Sequence, residues 1–243
     1  MSTLSTIGEL RQTLQRWLDV SDPEQAVFAY YMLYHPASRT RLYVTYDQSG
    51  EVAGALAECL TGYDLFRPLY VMLAENEPAL RQLIQEIAPQ RRPGYLLGPM
   101  HYLQVWRDYF LLSGEEIFRL YVLDVANFQP IINILVTRAQ SPDGQPRYEI
   151  RSPKDEVLAF ASVNWRSPQF AEVAVHVEPA AQGRHWGESV VSALCAELVR
   201  EGVTPLYLAG AVNPASIALA ERVGFRDTGR RLAFASAEWR PTA

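Results

Sequence analysis

Cysteine and histidine are both scarce in this sequence, which contains two cysteines and four histidines in 243 residues. Cys59 and Cys195 stand far apart in apolar surroundings and lack CxxC spacing, so we expect two reduced cysteines in the protein core. The histidines are scattered, without the HExxH spacing or any similar arrangement that binds metals. The sequence therefore predicts no disulfide and no metal site.

Long apolar runs and clusters of positive charge are also missing. No segment has about 18 uninterrupted apolar residues, and residues 1–10 lack the basic stretch and apolar core of a signal peptide. We expect neither a membrane span nor a membrane partner, and a cytoplasmic location by default. The formal net charge is −5, and the pairs Arg91–Arg92 and Arg230–Arg231 are too short to form a nucleic-acid-binding surface. No nucleic-acid partner is therefore expected.

Residues 175–187 are the most informative part of the chain. A β-rich run breaks at Pro179, and after a short turn with Gly183 and Gly187 an amphipathic helix begins. The first turn of a helix has unpaired backbone N–H groups and the positive end of the helix dipole, and a turn without bulky side chains lets an anion approach these donors. This order of elements predicts an anion site, with a pyrophosphate as the expected ligand. The alternative is an ordinary strand-to-helix connection whose glycines only shape the backbone.

The two halves of the chain show the same order of elements. Hydrophobic periodicity and turn residues in the C-terminal half predict a three-strand meander, then a helix, a strand, a helix and a last strand. These are residues 147–152, 156–165, 169–177, 188–200, 206–208, 213–224 and 231–237. The N-terminal series is 41–47, 52–61, 68–73, 78–87, 95–97, 102–110 and 116–123. We therefore predict an α+β fold of two similar halves, 1–125 and 126–243, each with a mixed, mostly antiparallel sheet flanked by helices.

The halves differ at the position of the glycine turn. The corresponding segment of the first half, residues 73–78, has no glycine and carries the carboxylates of Glu75 and Glu77, which would repel phosphate. The first half is therefore expected not to bind the anion. It would be a degenerate copy that supports the second half and walls an acceptor site, or a packing domain without ligand contact.

The turn resembles motif A of the GNAT superfamily of acyl-CoA-dependent N-acyltransferases, which has a Gln/Arg-x-x-Gly-x-Gly/Ala signature. The sequence here is Gln182-Gly183-Arg184-His185-Trp186-Gly187, in which His185 replaces the central glycine. Residues 205–211 are similar to the family's next strand, and Asn213 to Phe225 resembles its Asn-x-x-Ala/Ser…Gly-Phe helix. The resemblance covers residues 126–243, and the layout of two halves is similar to tandem GNAT proteins.

The resemblance implies that acetyl-CoA or another acyl-CoA binds at this turn as a co-substrate. Its contacts would come from the end of the strand, the glycine turn, the first helical turn and the helix that starts at Asn213. The residues concerned are Val175, His176, Val177, Gln182, Gly183, Arg184, His185, Trp186, Gly187, Glu188, Ser189, Asn213 and Ser216. A non-glycine residue at position 185 would cost roughly 1–2 kcal/mol if the backbone there needs a positive φ.

The resemblance also implies direct transfer of the acyl group to an amine with the help of a base. Strand alternation puts Glu172 and His176 on one face, where both are candidates, and the family favours a carboxylate at the depth of Glu172. Glu172 lies one residue from the usual register unless a bulge intervenes. Ala220 occupies the place of the family's tyrosine acid, so the thiolate leaves unaided, Ser216 or Tyr207 serves instead, or the protein binds acyl-CoA without turnover.

The expected function is that of an acyl-CoA-dependent N-acyltransferase acting on an unidentified amine. The alternative is a non-catalytic acyl-CoA-binding or sensor protein on the same scaffold. The sequence leaves a homodimer open. Release of free thiol in the presence of amines would separate the enzyme from the sensor.

Overall fold

The computed structural model describes residues 6–62, 64–142 and 144–241, which form two compact units. The first unit contains the described residues up to Phe118 and those from Arg231 onward, and the second is Arg119–Arg230. The end of the chain therefore belongs with its beginning.

Helices and strands are mixed along the whole chain. The helices are α1 (Ile7–Trp17), α2 (Ala26–Ala29), α3 (Glu77–Ile87), α4 (Leu103–Tyr109), α5 (Trp186–Arg200) and α6 (Pro214–Val223), with a π-helical turn at Tyr30–Tyr34. The strands are β1 (Thr40–Tyr46), β2 (Val52–Cys59), β3 (Leu69–Ala74), β4 (Gly94–Pro99), β5 (Phe110–Leu123), β6 (Thr137–Gln140), β7 (Pro146–Arg151), β8 (Val157–Arg166), β9 (Phe170–Val177), β10 (Thr204–Gly210) and β11 (Phe225–Trp239). The expected α+β class is confirmed.

Side-chain caps set the start of three of these helices. Thr6 and Glu9 form a capping box at α1, since each side chain accepts from the other residue's backbone N–H. Asn76 accepts from Ala79 N–H at 3.0 Å before α3, and Asn213 accepts from Ser216 N–H at 3.0 Å before α6. Pro follows the cap in α3 and α6, where its missing N–H costs nothing. Asn213 therefore caps α6, the helix that the sequence predicts over residues 213–224.

The first unit contains a mixed sheet in the strand order β1-β2-β3-β4-β11-β5, to which β11 contributes its second part and β5 its first. β3 and β4 are parallel, and β1–β2, β2–β3 and β4–β11 are antiparallel. α3 packs Leu80, Leu83 and Ile84 into the core of this unit, where Trp106 of α4 is fully buried.

The second unit has the strand order β11-β5-β10-β9-β8-β7-β6, with the first part of β11 and the second part of β5. β9 and β10 are parallel, while β6 through β9 pair antiparallel in succession. α5 contributes Val190, Val191, Leu194 and Leu198 to the core, as its helical spacing predicted. Parallel β9 and β10 flank α5 in the chain, which is the right place for a strand–turn–helix site.

Most predicted elements are present within a few residues, but the helices α1 and α2 before β1 were not predicted. Three further features differ from expectation. The meander has a fourth strand, β6, which precedes the three predicted ones. β5 and β11 are 14 and 15 residues long, about twice the predicted lengths. The chain passes between units inside these strands, at Phe118 and Arg231, whereas we expected one boundary after residue 125. Both cysteines are free and buried, as predicted.

No helix in the part of the chain that the structure describes is long and apolar enough to cross a bilayer.

Candidate functional site

The site begins where β9 ends. Pro179 starts a short 3-10 turn (Pro179–Ala181), because its ring fixes φ and it cannot donate to a strand ladder. Residues 182–185 are exposed, and α5 begins at Trp186. Gly183 has φ +77°, a left-handed conformation that glycine adopts without strain. The predicted strand–turn–helix is therefore present.

His185 adopts the left-handed backbone conformation, with a positive φ, that is costly for a residue other than glycine. Its φ is 58°, and it is the N-cap of α5 without a side-chain capping bond. Instead, Nδ1 lies 3.1 Å from both carboxylate oxygens of Glu188 in the first helical turn. A histidine therefore occupies a backbone conformation that glycine adopts more readily.

The N-terminus of α5 presents backbone donors. Ser189 N–H is the first to bond back along the helix, to His185 O at 3.2 Å, so the N–H groups of Trp186, Gly187 and Glu188 lie ahead of the helical ladder. A helix of 15 residues also has a developed dipole with its positive end here. These donors suit a phosphate group.

Gly187 is needed for close packing. A Cβ at Gly187 would lie 2.8 Å from Leu219 Cδ1 and 3.1 Å from Val177 Cγ2. A bulky side chain at this position would therefore push α5 away from β9 and α6 before it obstructed an anion. A Cβ added at Gly183 would have no atom within 4 Å, so Gly183 is the better residue for testing ligand approach.

Two arginines near the turn contact neighbouring side chains. Arg222 Nε of α6 donates to Glu188 Oε1 at 2.7 Å, and the Arg184 guanidinium lies 4.9 Å from the centre of the Trp186 ring. Trp186 packs against the core of the second unit. Because Arg222 pairs with Glu188, the negative charge of the carboxylate in the first helical turn is compensated where an anion would approach.

Ser189 has its side chain engaged already. Its hydroxyl donates to His185 O at 3.1 Å and accepts from Asn133 Nδ2 at 3.1 Å. A contribution of Ser189 to ligand binding would therefore come through this arrangement or its backbone. Residue 133 lies in the segment before β6, for which no local pattern indicated a contact with the site.

The parallel strands β9 and β10 part beside this turn. Their paired positions run from Phe170–Thr204 to Glu172–Leu206, while β9 continues to Val177 and β10 to Gly210. Backbone groups of residues 173–177 on the β10 side are thus left for another partner. This opening leads directly into the turn and the N-terminus of α5.

Glu172 and His176 face the same side of β9, as alternation predicted. Val173 lies in the core under α5 and Val175 and Val177 pack against it, so the even-numbered residues face away. Four residues of strand separate Glu172 from His176 by about 13 Å at 3.3 Å per residue. They therefore cannot serve the same atom of a ligand.

Glu172 is the more enclosed of the two candidates. Its Oε1 accepts from Asn164 Nδ2 at 2.8 Å, and its Oε2 accepts from the Trp165 indole N–H. Burial raises the pKa of the Glu172 carboxyl, and the two hydrogen bonds oppose that rise. A carboxylate with a raised pKa is suited to accept a proton near neutral pH.

His176 is in open surroundings. Its side chain is 52% exposed, and Nε2 lies 3.0 Å from Glu178 Oε1. The imidazole also lies 5.5 Å from the Phe160 ring, centre to centre. This arrangement suits a solvent-facing histidine more than a base held in a dry cleft.

A tyrosine and a serine meet between β10 and α6. Tyr207 Oη and Ser216 Oγ are 2.9 Å apart, and Tyr207 lies one residue beyond the last position at which β10 pairs with β9. Burial raises the pKa of Tyr207, the Ser216 bond lowers it, and the charge of Glu172 raises it. Ala220, at the position where the resemblance implies a tyrosine, is fully buried in the core. Tyr207 therefore stays protonated at neutral pH and is able to donate a proton.

Sequence reasoning missed Asn164, Trp165 and Arg222 as neighbours of the site. Asn164 and Trp165 lie on β8 and reach Glu172 only because of the strand pairing, which is set by contacts distant in sequence. Arg222 had a local signal, since it lies on the predicted α6. No group of three or more His, Cys, Asp or Glu residues in the described ranges is arranged to hold a metal ion.

The first unit has the same parting of parallel strands, but its own side chains fill it. The β3–β4 pairs end at Val71–Leu97, although both strands continue. Tyr102 Oη donates to Ala74 O at 2.8 Å and accepts from Ala74 N–H at 2.7 Å. Tyr102 and Trp106 also lie against Gly98, within 3.0 and 3.1 Å of where its Cβ would be. The backbone groups that remain open at β9 are therefore occupied here.

Comparison with known proteins gives a family match over part of the chain and a fold for the whole of it. Residues 157–233, from β8 into β11, match the model of the family described as FR47-like protein. No curated protein is similar enough in sequence to count as a relative.

Solved structures similar to this chain include several GNAT proteins. A tandem GNAT protein from the clavulanic acid biosynthesis pathway has a TM-score of 0.61 at 16% identity, covering 96% of this chain and 96% of that one. A GCN5-related N-acetyltransferase-like protein from Streptococcus suis has a TM-score of 0.59 at 15% identity, covering 97% and 100%. A GCN5-related N-acetyltransferase from Kribbella flavida has a TM-score of 0.60 at 15% identity, covering 90% and 96%.

At these identities the likeness establishes the fold, and the FR47-like match adds a sequence relationship over the segment that contains the turn. Together with the geometry of β9, α5 and α6, these findings show that the chain has a GNAT-like fold.

Proposed function

We propose that the second unit binds an acyl-CoA and transfers its acyl group to an amine. The observation that carries this proposal is the parting of β9 and β10 beside the free N-terminus of α5. Phosphates would bind the N–H groups of residues 183–188, and the amide-containing arm of the coenzyme would pair with the open backbone of residues 173–177. The GNAT fold supports acyl transfer in general, and the amine acceptor is unidentified.

Glu172 is the proposed base and Tyr207 the proposed acid. The amine nitrogen attacks the thioester carbonyl carbon, the new C–N bond forms and the C–S bond breaks. Glu172 takes the proton that the amine loses, directly or through water, and the departing thiolate receives one from Tyr207, with Ser216 bonded behind it. A thiolate is itself a stable leaving group with a pKa of about 8.5, so Tyr207 contributes less to the rate than Glu172.

Binding at the turn can be tested with a matched pair of glycines on either side of α5. Gly183 and Gly202 have φ of +77° and +76° with no atom within 4 Å of an added Cβ, and they lie at opposite ends of the helix. Val at either position strains the backbone similarly. Gly183→Val should weaken acetyl-CoA binding by about tenfold or more, roughly 1.4 kcal/mol, by calorimetry. Gly202→Val should leave the affinity unchanged. Equal affinities in both variants would refute the site.

Turnover can be tested by release of free thiol in a panel of amines. Glu172→Gln keeps the shape of the side chain and removes the base, so kcat should fall by about 10²–10⁴ while acetyl-CoA affinity is retained. Glu156→Gln, in the exposed turn before β8, is the control and should keep full activity. Full activity in Glu172→Gln would exclude this residue as the base.

A non-catalytic acyl-CoA sensor is the second candidate function. The buried Ala220 at the family's tyrosine position favours it, since the usual acid is missing. A sensor would bind acetyl-CoA in the calorimetric test and release no thiol with any amine.

A further inference from the structure

The pairing of β8 with β9 contains one extra residue beside Glu172. Val163 lies opposite Val173 and Trp165 lies opposite Glu172, so Asn164 has no partner across the ladder. This is a β-bulge, in which two residues of one strand face a single residue of the other. The extra residue lies in β8, so it leaves the register of Glu172 along β9 unchanged.

The bulge changes which side Trp165 faces. Ala161 and Val163 lie in the core under α5, and regular alternation would send Trp165 to that same core. The extra residue turns Trp165 to the opposite face, where Asn164 already points. Two consecutive side chains therefore reach Glu172, and each of its oxygens receives one donor.

We propose that Asn164 and Trp165 are positioning residues that hold the Glu172 carboxylate in one orientation and keep it ionised at the pH of the reaction. This inference rests on the proposed role of Glu172 as the base. Hydrogen bonds to a carboxylate stabilise its charged form, whereas burial destabilises it. The amide and the indole thus offset the burial that a dry acceptor site imposes on Glu172.

Other titratable or charged groups near Glu172 do not supply this stabilisation. Tyr207 of β10 is uncharged, His176 of β9 is turned to Glu178, and the Arg166 guanidinium of β8 binds Glu201 at 2.6 Å. Within the part of the chain that the structure describes, the hydrogen bonds that oppose the burial of Glu172 come from Asn164 and Trp165.

The first test is the pH profile of thiol release. Trp165→Phe removes the indole N–H and preserves most of the ring volume, so the acid limb of kcat/KM should move up by about one pH unit. Activity should fall about tenfold below that limb and recover at higher pH, with acetyl-CoA affinity unchanged. Trp17→Phe is the matched control, because it removes an indole bond of 3.1 Å to Glu75 in the first unit. A limb that moves equally in both variants, or in neither, overturns the proposal.

The second test does not depend on activity. Glutamate labelled with 13C at the side-chain carboxyl allows the Glu172 titration to be followed by NMR, and Glu172→Gln identifies its signal. The Glu172 pKa should be higher in Trp165→Phe than in the wild type and unchanged in Trp17→Phe. The exposed Asn164 allows a second variant, Asn164→Ala, in case Trp165→Phe does not fold.

The two tests separate the inference from the function on which it rests. An upward pKa shift with no thiol release from the wild type would support the hydrogen-bonding arrangement and refute the acyltransferase. Thiol release with an unshifted Glu172 pKa in both Trp165→Phe and Asn164→Ala would support the enzyme and refute the role of Asn164 and Trp165.

Discussion

His185 has a backbone conformation that is unfavourable for any residue with a Cβ atom. The left-handed conformation, with φ 58°, costs a non-glycine residue roughly 1–2 kcal/mol. The pairing with Glu188 offsets part of that cost. The histidine thus occupies a position for which the fold favours glycine.

We predict that His185→Gly is about 1 kcal/mol more stable than His185→Ala in urea unfolding. Both variants lose the imidazole, but only glycine relieves the strain, and its greater freedom in the unfolded chain offsets part of the gain. Equal stability of the two variants would contradict a strained turn. Acetyl-CoA affinity should be similar in both, because the proposed donors are backbone groups.

His35 should make the first unit sensitive to acid. It is 5% exposed, and its Nδ1 lies 2.7 Å from Thr40 Oγ1. Burial, with help from the charges of Arg11 and Arg39, lowers the pKa of His35 from 6.5 to about 4. The unfolded chain therefore binds a proton between these values and the folded chain does not.

The free energy of unfolding should fall as the pH drops below about 6.5 and level off below about 4, a total loss of about 3 kcal/mol from this group. His35→Asn should flatten the curve between pH 6.5 and 4 in urea unfolding. His176→Asn, at a side chain 52% exposed, should keep the wild-type slope. A steep slope in His35→Asn would assign the pH dependence to other groups.

At the scale of elements, local patterns predicted the strand–turn–helix but not the pairing of the strands. Pro179, Gly183 and the spacing of Val190, Val191 and Leu194 are read within one segment, so β9, the turn and α5 were predictable. The bulge at Asn164 is defined by its partner strand and leaves little trace in the sequence. The same is true of Tyr207 and Ser216, whose contact depends on how α6 packs against β10.

Residues 73–78, which stand at the position of the glycine turn in the first unit, predict how many acetyl-CoA molecules the chain binds. The Tyr102 hydroxyl forms hydrogen bonds with the backbone N–H and C=O of Ala74. Glu75 lies just before α3, and Glu77 is the first residue of α3. We expect one acetyl-CoA per chain by calorimetry, and no second site in Tyr102→Ala because the carboxylates remain. If Gly183→Val retained one full-affinity site per chain, the first unit would be the binding unit instead.

At the scale of the whole molecule, the path of the chain decides which fragments can fold. Residues 119–123 of β5 belong to the second unit, and Tyr121 and Leu123 lie fully or almost fully buried in its core. Residues from Arg231 onward belong to the first unit, where Ala233 and Ala237 are part of the core. The boundary after residue 125 that the sequence suggested would remove core residues from one unit and leave strand residues of the other unpaired.

We therefore predict that a fragment of residues 119–230 unfolds cooperatively in urea, whereas a fragment of residues 126–243 aggregates or shows no cooperative transition. The second fragment lacks Tyr121 and Leu123, each worth about 1.5–3 kcal/mol of apolar burial. It also exposes the apolar residues that β11 buries in the first unit. Double replacement of Tyr121 and Leu123 by Ala within the fragment of residues 119–230 is the matched test. This variant should also aggregate or show no cooperative transition, as the fragment of residues 126–243 does. A fragment of residues 126–243 as stable as residues 119–230 would show that the second unit does not depend on β5.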